Sequence, residues 1–267
     1  ISKRVRLLSE KAYEKLSPAL GLLPREHVAI VGGGGKTSLL LSLAEELKEA
    51  GKRVITSTTT KMWRREAMRA PSLLLCQADP GWSGLEEGLQ RHGHVFLARR
   101  ALDSGKVEGL SPRQADELFQ DCLSDYLIIE ADGSAGRPLK AHDLHEPVIP
   151  GSSSVIIAMM GLEALGRKVG PEVVFRSGLF LEQNGIDPEE PLTAELLAGL
   201  FLKTGAFFRG AASGARRILF LNKMDLLTAG EEARKLAHLV LKDGSCGIDR
   251  VLIGSVLAGR VSVIKET

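Results

Sequence analysis

The chain has 267 residues, of which 44% are hydrophobic and 25% charged, a composition that excludes intrinsic disorder as the default state. Lys and Arg number 35 against 33 Asp and Glu, and a formal charge of +2 gives no field that indicates a nucleic-acid partner. No apolar run has the length of a membrane span or a signal peptide, and three separated cysteines in no CxxC pair suit a reducing compartment, so we expect a cytoplasmic protein.

The predicted elements alternate as they do in an α/β protein. Apolar residues between Leu7 and Leu23 recur at helical spacing and predict an N-terminal helix within residues 1–25. A strand is then predicted at His27 to Val31, followed by four glycines and a Leu-rich helix from Thr37 to Ala50. Further strands are predicted at 53–57, 72–76, 94–98, 126–131, 154–159, 217–222 and 250–253, and further helices at 84–91, 111–123, 193–203 and 230–242. This alternation predicts a doubly wound, mostly parallel sheet.

The sequence predicts a single domain over residues 1–267, because no repeat, low-complexity tract or Pro/Ser-rich linker divides it. One segment, residues 133–150, contains three prolines and has little periodicity. Loops of that length inside a compact domain are usually functional, so this long inserted loop is a candidate for part of a site.

The glycine-rich segment has the chemistry of a phosphate-binding loop, because glycines leave backbone N–H groups open to an anion at a helix N-terminus. Lys36 is placed to reach the β- and γ-phosphates, and Thr37 to ligate magnesium. Ile30 stands where the Walker pattern G-x-x-x-x-G-K-[ST] has glycine, and the alternative is a glycine-rich turn with an adventitious lysine. The predicted nucleotide-binding residues here are Gly32, Gly33, Gly34, Gly35, Lys36, Thr37 and Ser38.

The apolar strand Tyr126–Ala131 is followed by two carboxylates on one face, as expected beside a phosphate loop. Glu130 and Asp132 are predicted to join Thr37 in holding magnesium and to take part in catalysis. The alternative is a strand end with solvated acids.

Thr56 to Lys61 reads Thr-Ser-Thr-Thr-Thr-Lys at the carboxyl end of the next strand, where ligands of open α/β sheets tend to bind. Thr58 is predicted to sense the γ-phosphate, and Lys61 to lie in a loop that contacts substrate or partner. An ordinary strand end with a solvated cationic face is the alternative.

A late strand, Arg217 to Asn222, ends in Asn-Lys-Met-Asp and resembles the guanine-recognition motif of GTPases. In that motif the carboxylate, here Asp225, accepts hydrogen bonds from the base, while the stem of Lys223 packs on the base and Asn222 braces the loop. Ser255, at the end of another strand, is a candidate to supply a backbone N–H to the base. The motif favours GTP over ATP.

The long loop also carries His142, His145 and Glu146 in the pattern His-x-x-His-Glu. A metal site is not favoured there, because no third or fourth ligand is identifiable and the HExxH spacing is absent.

The glycine core resembles the deviant P-loops of a class that includes the urease and hydrogenase maturation GTPases and the signal-recognition GTPases.

Seven sequence blocks occur in order along the chain. The most specific are Glu-Ala-Asp-Gly-Ser at 130–134 and His-Glu-Pro-Val-Ile-Pro at 145–150. The others are Val31 to Ser38, Thr58 to Lys61, Pro138 to Ala141, Gly161-Leu162 and Leu221 to Asp225. Through these blocks the chain resembles the YqeC-type proteins over nearly its whole length.

Proteins of that family are regarded as accessory factors for selenium-dependent molybdenum hydroxylases. The resemblance therefore implies a role in inserting or activating a labile selenium or molybdenum cofactor, with the hydroxylase or its cofactor as partner. It also makes the long loop a family feature and adds Lys140, His145 and Glu146 to the candidate site. His142 stands where the family pattern has proline, so no role is carried to it.

Together these features predict an NTPase in which GTP, or ATP, drives a conformational change in the loops around Thr58 and Asp132. Two rivals stay open. One is a small-molecule kinase in which Lys140, His145 and Glu146 hold the acceptor, and the other is a non-catalytic nucleotide-binding module. Switch proteins of this class often dimerise across the nucleotide, so a homodimer is also open.

Overall fold

The structure is a computed structural model that describes residues 8–77, 82–203, 206–227 and 230–266. The strands within these ranges are β1 (Leu8–Tyr13), β2 (Glu26–Gly32), β3 (Val54–Thr58), β4 (Lys61–Trp63), β5 (Leu73–Leu75), β6 (His94–Ala98), β7 (Arg100–Ala101), β8 (Lys106–Glu108), β9 (Tyr126–Glu130), β10 (Leu139–Lys140), β11 (Val155–Gly161), β12 (Val174–Phe175), β13 (Arg216–Asn222), β14 (Ile248–Ser255) and β15 (Arg260–Glu266). The helices are α1 (Leu16–Leu20), α2 (Lys36–Glu49), α3 (Arg64–Ala67), α4 (Leu85–His92), α5 (Pro112–Gln120), α6 (Ser177–Asn184), α7 (Ala194–Lys203) and α8 (Glu231–Asp243), with single 3₁₀ turns at Leu162–Ala164, Ala206–Phe208 and Met224–Leu226.

One sheet runs through the molecule in the order β1-β15-β14-β13-β11-β2-β9-β3-β6-β5. The strands from β14 to β5 are parallel, whereas β15 and β1 extend one edge with antiparallel pairing. The predicted mostly parallel α/β fold is confirmed. The eight strands predicted for the parallel part correspond to β2, β3, β5, β6, β9, β11, β13 and β14.

Successive residues of β2 pack into different helical layers. Val28 and Ile30 share a buried apolar cluster with Leu39, Leu40 and Leu43 of α2. Ala29 and Val31 belong to a second cluster, which includes residues of α7 and α8. Because side chains alternate across a strand, a β-branched run such as this one is buried on both faces and becomes a central strand. None of the described helices is long and apolar enough to cross a membrane.

The prediction of an N-terminal helix is wrong over most of its length. Residues 1–7, including Leu7, lie outside the described residues, Leu8–Tyr13 form β1, and the helix is confined to Leu16–Leu20. β1 pairs with β15 from Leu8 opposite Glu266 to Tyr13 opposite Val261. The unpaired backbone groups along β15 offer this segment a ladder of hydrogen bonds, and such tertiary pairing overrides weak helical periodicity.

Residues 133–150 are irregular apart from β10, which pairs in parallel with β12. Backbone hydrogen bonds to two other segments help to fix this loop against the rest of the molecule. Leu139 and Ala141 donate their N–H groups to the carbonyls of Val173 and Phe175, and the Val148 N–H donates to the Ala131 carbonyl. The loop is thereby held over the carboxyl end of β9.

A buried histidine in β2 makes stability depend on pH. His27 has no exposed surface, its Nδ1 lies 2.8 Å from the Ser152 Oγ, and its Nε2 has no hydrogen-bond partner among the described residues. Burial lowers the pKa of His27 from 6.5 to about 3, against the opposing attraction of Asp116. As the pH falls below 6.5, the unfolded chain takes up a proton that the folded chain refuses, so stability is lost with acidification.

We therefore expect the free energy of unfolding to fall, because of His27, by up to about 1.4 kcal/mol for each pH unit of acidification between pH 6 and 4. Urea unfolding across this range checks it: His27→Gln should show a shallower loss than the wild type, while the exposed control His238→Gln should match the wild type. Equal slopes in the wild type and His27→Gln would contradict the expectation.

Candidate nucleotide-binding site

The glycine loop lies between β2 and α2 at the carboxyl edge of the sheet. Its backbone has positive φ at Gly32 (95°), Gly34 (75°) and Gly35 (117°), a region that L side chains rarely adopt. A Cβ at Gly32 would lie 2.3 Å from the Met159 carbonyl oxygen, and one at Gly34 would lie 2.0 Å from the Gly161 nitrogen. Only glycine therefore fits these positions, because the end of β11 packs directly against the loop.

The long loop covers part of the glycine loop. The Gly33 N–H donates to the Met159 carbonyl at 2.9 Å, and the Gly34 N–H donates to the Arg137 carbonyl at 2.9 Å. A Cβ on Gly33 would lie 2.5 Å from the same Arg137 oxygen. The first-turn N–H groups of α2 have no partner within the helix and remain suited to an anion. A phosphate could reach the Gly34 N–H only if the Arg137 carbonyl moved.

Lys36 is buried, with 2% of its surface exposed, at the first position of α2. Its Nζ donates to the Gly32 carbonyl (2.7 Å) and the Ser134 Oγ (2.9 Å), and lies 3.1 Å from Asp132 Oδ1 and 3.6 Å from Glu130 Oε1. Burial by itself lowers the pKa of Lys36, but the two carboxylates outweigh it and leave the pKa above its ordinary value. The side chain is therefore a buried ammonium.

Asp132 is a fully buried carboxylate at the centre of the cluster. Its Oδ2 accepts from the Gly32 N–H (2.8 Å), lies 2.7 Å from His142 Nε2 and is 3.6 Å from Lys140 Nζ. Burial raises the pKa of Asp132, but Lys36, His142 and Lys140 together hold it well below its usual range. An ionised carboxylate can only accept, so the His142 Nε2 carries the proton of this hydrogen bond.

Glu130 and Thr37 form the second half of the site. The Thr37 Oγ1 donates to the Glu130 Oε2 at 2.8 Å. Burial raises the pKa of Glu130, and Lys36 and Thr37 oppose this without cancelling it. A hydroxyl and a carboxylate are the hard oxygen donors that magnesium takes from proteins, usually only one or two at a time beside water and phosphate. Thr37 and Glu130 therefore fit magnesium, whereas Asp132, the third predicted ligand, faces Lys36 and His142 in this conformation.

Thr58 lies beside Glu130 at the end of the neighbouring strand. Its hydroxyl donates to the Glu130 carbonyl at 2.8 Å and is 3.1 Å from the Thr60 Oγ1. The Thr59 hydroxyl donates to the Val148 carbonyl of the long loop at 2.7 Å. Lys61 is exposed at the start of β4, opposite Glu108, and the structure does not bring it into the cluster around Lys36.

The long loop contributes a second buried ion-pair group. The Lys140 side chain is fully buried, and its Nζ donates to the Gly133 carbonyl (2.8 Å) and the Glu146 Oε2 (2.9 Å). Arg176, just before α6, also donates to Glu146. Burial raises the pKa of Glu146, but hydrogen bonds from Lys140 and Arg176 leave it below its ordinary value. His145 is exposed and lies outside this group.

Asn222 ties the end of β13 to the glycine loop. Its Nδ2 donates to the Gly34 carbonyl at 2.8 Å, and its Oδ1 accepts from the Val256 N–H at 3.0 Å. The side chain is 4% exposed. The start of the predicted base-recognition motif is therefore in contact with the predicted phosphate loop, and the end of β14 is joined to both.

The rest of that motif lies at the same edge of the sheet. Lys223, with φ 67°, forms an ion pair with Glu163, whose other oxygen is buried without a hydrogen-bond partner among the described residues. Asp225 is exposed in the 3₁₀ turn Met224–Leu226. Ser255 is buried, and its Oγ accepts from the Ala258 N–H at 3.2 Å.

Comparison with known proteins places the chain in a family. The family model described as YqeC protein matches residues 28–178, a range that holds the glycine loop, both strand-end acids and the long loop. The protein YqeC of Escherichia coli (strain K12) is 39% identical over 202 residues, which cover 73% of this chain and 75% of that protein. The chain belongs to the YqeC family. The resemblance predicted from the sequence blocks is confirmed.

Solved structures give more distant likenesses. The 54 kDa protein of the signal recognition particle from Aeropyrum pernix K1, in complex with GDP, is 14% identical with a TM-score of 0.38; the match covers 87% of this YqeC-family chain and 42% of that protein. Chloroplast FtsY from Physcomitrella patens is 16% identical with a TM-score of 0.40, covering 87% and 60% respectively. The chain thus spans less than two thirds of either structure.

Sequence reasoning missed several side chains of this YqeC-family site. Ser134, whose hydroxyl accepts a hydrogen bond from Lys36, is the last residue of the Glu-Ala-Asp-Gly-Ser block. Its position two residues after Asp132 could have predicted that it lies in the site. The sequence predicts no role for His142, whereas in the structure it donates a hydrogen bond to Asp132. Arg176 and Glu163 come from other elements, and no local pattern marks them.

Proposed function

We propose that this chain binds a nucleoside triphosphate with magnesium, GTP in preference to ATP, and hydrolyses it. The observation that carries the proposal is the position of Lys36: a buried ammonium at the N-terminus of α2, next to the hydrogen-bonded pair of Thr37 and Glu130. A buried ammonium costs free energy unless it is paired with negative charge. Here Asp132 and Glu130 provide that charge, and the phosphates of a bound nucleotide would compete with them for Lys36.

Each residue then has a distinct task. Lys36 neutralises charge on the β- and γ-phosphates, and the first-turn N–H groups of α2 donate to their oxygens. Thr37 and Glu130 hold magnesium, which when bound supplies positive charge to the phosphate oxygens. Asp132 fixes the position of Lys36 through their ion pair. It also holds the glycine loop through the Gly32 N–H and the long loop through His142.

Nucleotide binding would rearrange the long loop. Phosphate contact with the Gly34 N–H requires the Arg137 carbonyl to leave it, and the γ-phosphate competes with Ser134 and Asp132 for Lys36. The hydrogen bonds of Asp132 to His142 and of Thr59 to Val148 connect that change to the rest of the loop. These contacts support a nucleotide-driven change in the segments around Asp132 and Thr58.

The base preference rests on Asn222 and Asp225. We expect Asp225→Ala to lower GTP affinity by about tenfold to a hundredfold and to leave ATP affinity unchanged, because hydrogen bonds to a charged acceptor contribute about 1.5–3 kcal/mol. Competition titrations of both nucleotides with a fluorescent triphosphate measure this, with the exposed Asp103→Ala as the matched control. Equal GTP and ATP affinities in the wild type would contradict guanine recognition.

Hydrolysis and phosphoryl transfer differ in the molecule that accepts the phosphoryl group, which is water in the first and a metabolite in the second. Phosphate release from GTP without any added metabolite supports the NTPase, whereas turnover that begins only with an added small molecule would support the kinase in its place. Tight retention of uncleaved triphosphate would support a non-catalytic module.

The cellular role that we propose is an accessory step in maturing a selenium-dependent molybdenum hydroxylase, and it is supported by the family resemblance. In cells that lack this chain, hydroxylase activity and its selenium or molybdenum content should fall. The wild-type chain should restore them and a Lys36→Ala chain should not. If the Lys36→Ala chain restored hydroxylase activity to the wild-type level, the accessory role would not depend on nucleotide binding.

A further inference from the structure

The small sheet β4-β8-β7 and the residues beside it form a basic face around Trp63. We define this face as Lys61, Lys106 and Arg100 on the outer side of the sheet, with Arg65 of α3 and Arg99 just before β7. In this sheet Lys61 pairs with Glu108 and Trp63 with Lys106, and Arg100 pairs with Glu108 from the other side. The intervening residues Met62 and Val107 are buried with Phe96 and Ala98. Because side chains alternate across a strand, the apolar ones hold the sheet against the body and the basic ones face solvent.

Positive charge is concentrated on this face. The face carries five cations, and Glu108 on the same side of the sheet forms ion pairs with two of them, Arg99 (3.6 Å) and Arg100. Asp103 lies in the turn between β7 and β8. The whole chain carries a formal charge of only +2. The excess is therefore a local feature of this sheet, and it attracts acidic groups over about a Debye length.

Trp63 gives the basic face an apolar centre. The side chain is 44% exposed, and the Arg65 Cζ and Lys106 Nζ lie 5.6 and 4.7 Å from the ring centroid. Both cations are within cation–π range of the ring, and this attraction favours the observed position of the indole. Tryptophan and arginine are the residues that most often dominate binding energy in protein–protein interfaces.

The face is tied to the end of β3 beside the candidate site. β4 begins directly after Thr60, and the Gly109 N–H that follows β8 donates to the Thr60 carbonyl at 2.9 Å. The Leu110 N–H donates to the Thr58 carbonyl at 2.8 Å, and a Cβ on Gly109 would lie 1.7 Å from that oxygen. The basic face therefore has a close-packed connection to Thr58.

We propose that the basic face docks an acidic protein partner that places an apolar side chain on Trp63. Charge complementarity and the exposed indole at the centre of the basic face carry the proposal. Proteins bind single-stranded nucleic acid by stacking successive bases on several aromatic side chains. Among the described residues that form the basic face, Trp63 is the only aromatic one, so the face favours a protein partner. The proposal is independent of nucleotide hydrolysis.

A labelled, Glu/Asp-rich peptide with one central Leu is the probe, and its fluorescence anisotropy against the full chain is the measurement. Binding should weaken about tenfold in the double variant Arg65→Ala/Lys106→Ala, and also as salt is raised. Arg113→Ala/Arg167→Ala, which removes two exposed arginines elsewhere, should bind as the wild type does. Trp63→Ala should weaken binding without changing its salt dependence.

The emission of Trp63 gives a second readout in a Trp82→Phe background, since Trp82 is the other tryptophan and is buried. A saturable shift of Trp63 emission with the acidic peptide supports the proposal. Equal peptide binding by both double variants, or no binding, overturns it. Tighter binding of oligothymidylate or phosphatidylglycerol vesicles through Arg65 and Lys106 overturns it in favour of a nucleic acid or a membrane.

Discussion

Replacing Lys36 with alanine is expected to reduce triphosphate binding and phosphate release to background, because no other ammonium lies at the start of α2 among the described residues. The same change should lower the unfolding free energy by about 3–5 kcal/mol, since it leaves the buried Asp132 and Glu130 carboxylates short of a counter-charge. Release of phosphate from GTP and urea unfolding measure the two effects separately.

The matched control is Lys140→Ala, which also removes a fully buried ammonium that neighbours Asp132. It should cost a similar amount of stability while weakening nucleotide binding far less, because the Lys140 Nζ donates to Gly133 and Glu146 and no hydrogen bond among the described residues joins it to the glycine loop. Wild-type phosphate release by Lys36→Ala would rule out the assigned site. Loss of binding in both variants alike would mean that folding, and not phosphate contact, is being measured.

Replacing Asp132 with alanine is the second change with a large expected effect. It would leave Lys36 and Lys140 without their shared carboxylate and would leave the Gly32 N–H and the His142 Nε2–H without an acceptor. We expect a loss of about 3–5 kcal/mol in unfolding free energy. Asp132→Asn should also destabilise, because its carboxamide oxygen can accept from Gly32 while its NH₂ group would face the Lys36 ammonium.

This contribution has a defined pH dependence. The folded-state pKa of Asp132 is depressed, so its stabilisation is present above the ordinary pKa of 3.8 and is lost as the pH falls below that value. Chemical unfolding of the wild type, Asp132→Ala, Asp132→Asn and the exposed control Asp103→Ala measures it. If the unfolding free energies of both variants at position 132 lay within about 0.5 kcal/mol of the wild-type value, a central role for this carboxylate would be contradicted.

The parallel core and the heart of the site were predictable because their signals are local. Val28 to Val31 form a mostly β-branched apolar run that predicts a strand buried on both faces, and the glycines and Lys36 follow directly in the sequence. Glu130 was predictable for the same reason, since parallel strands end at one edge and Ile30 pairs with Glu130.

The rest depends on contacts between segments far apart in sequence. β1 pairs with β15 across nearly the whole chain, and the periodicity of residues 8–13 contains no information on that partner. Likewise, the hydrogen bond of His142 to Asp132 and the ion pair of Arg176 with Glu146 exist only once the long loop has folded back over β9. Conversely, Lys61 and His145 lie near site residues in sequence but are exposed away from the Lys36 cluster.

Calorimetric titration of the wild-type chain with GTP, with magnesium present and after its removal by a chelator, tests the proposed nucleotide site most directly. We expect one saturable site that binds GTP with magnesium, binds it more weakly without magnesium, and is lost in Lys36→Ala. No binding of GTP or ATP under either condition, or binding that Lys36→Ala leaves intact, would contradict a nucleotide site at residues 32–37.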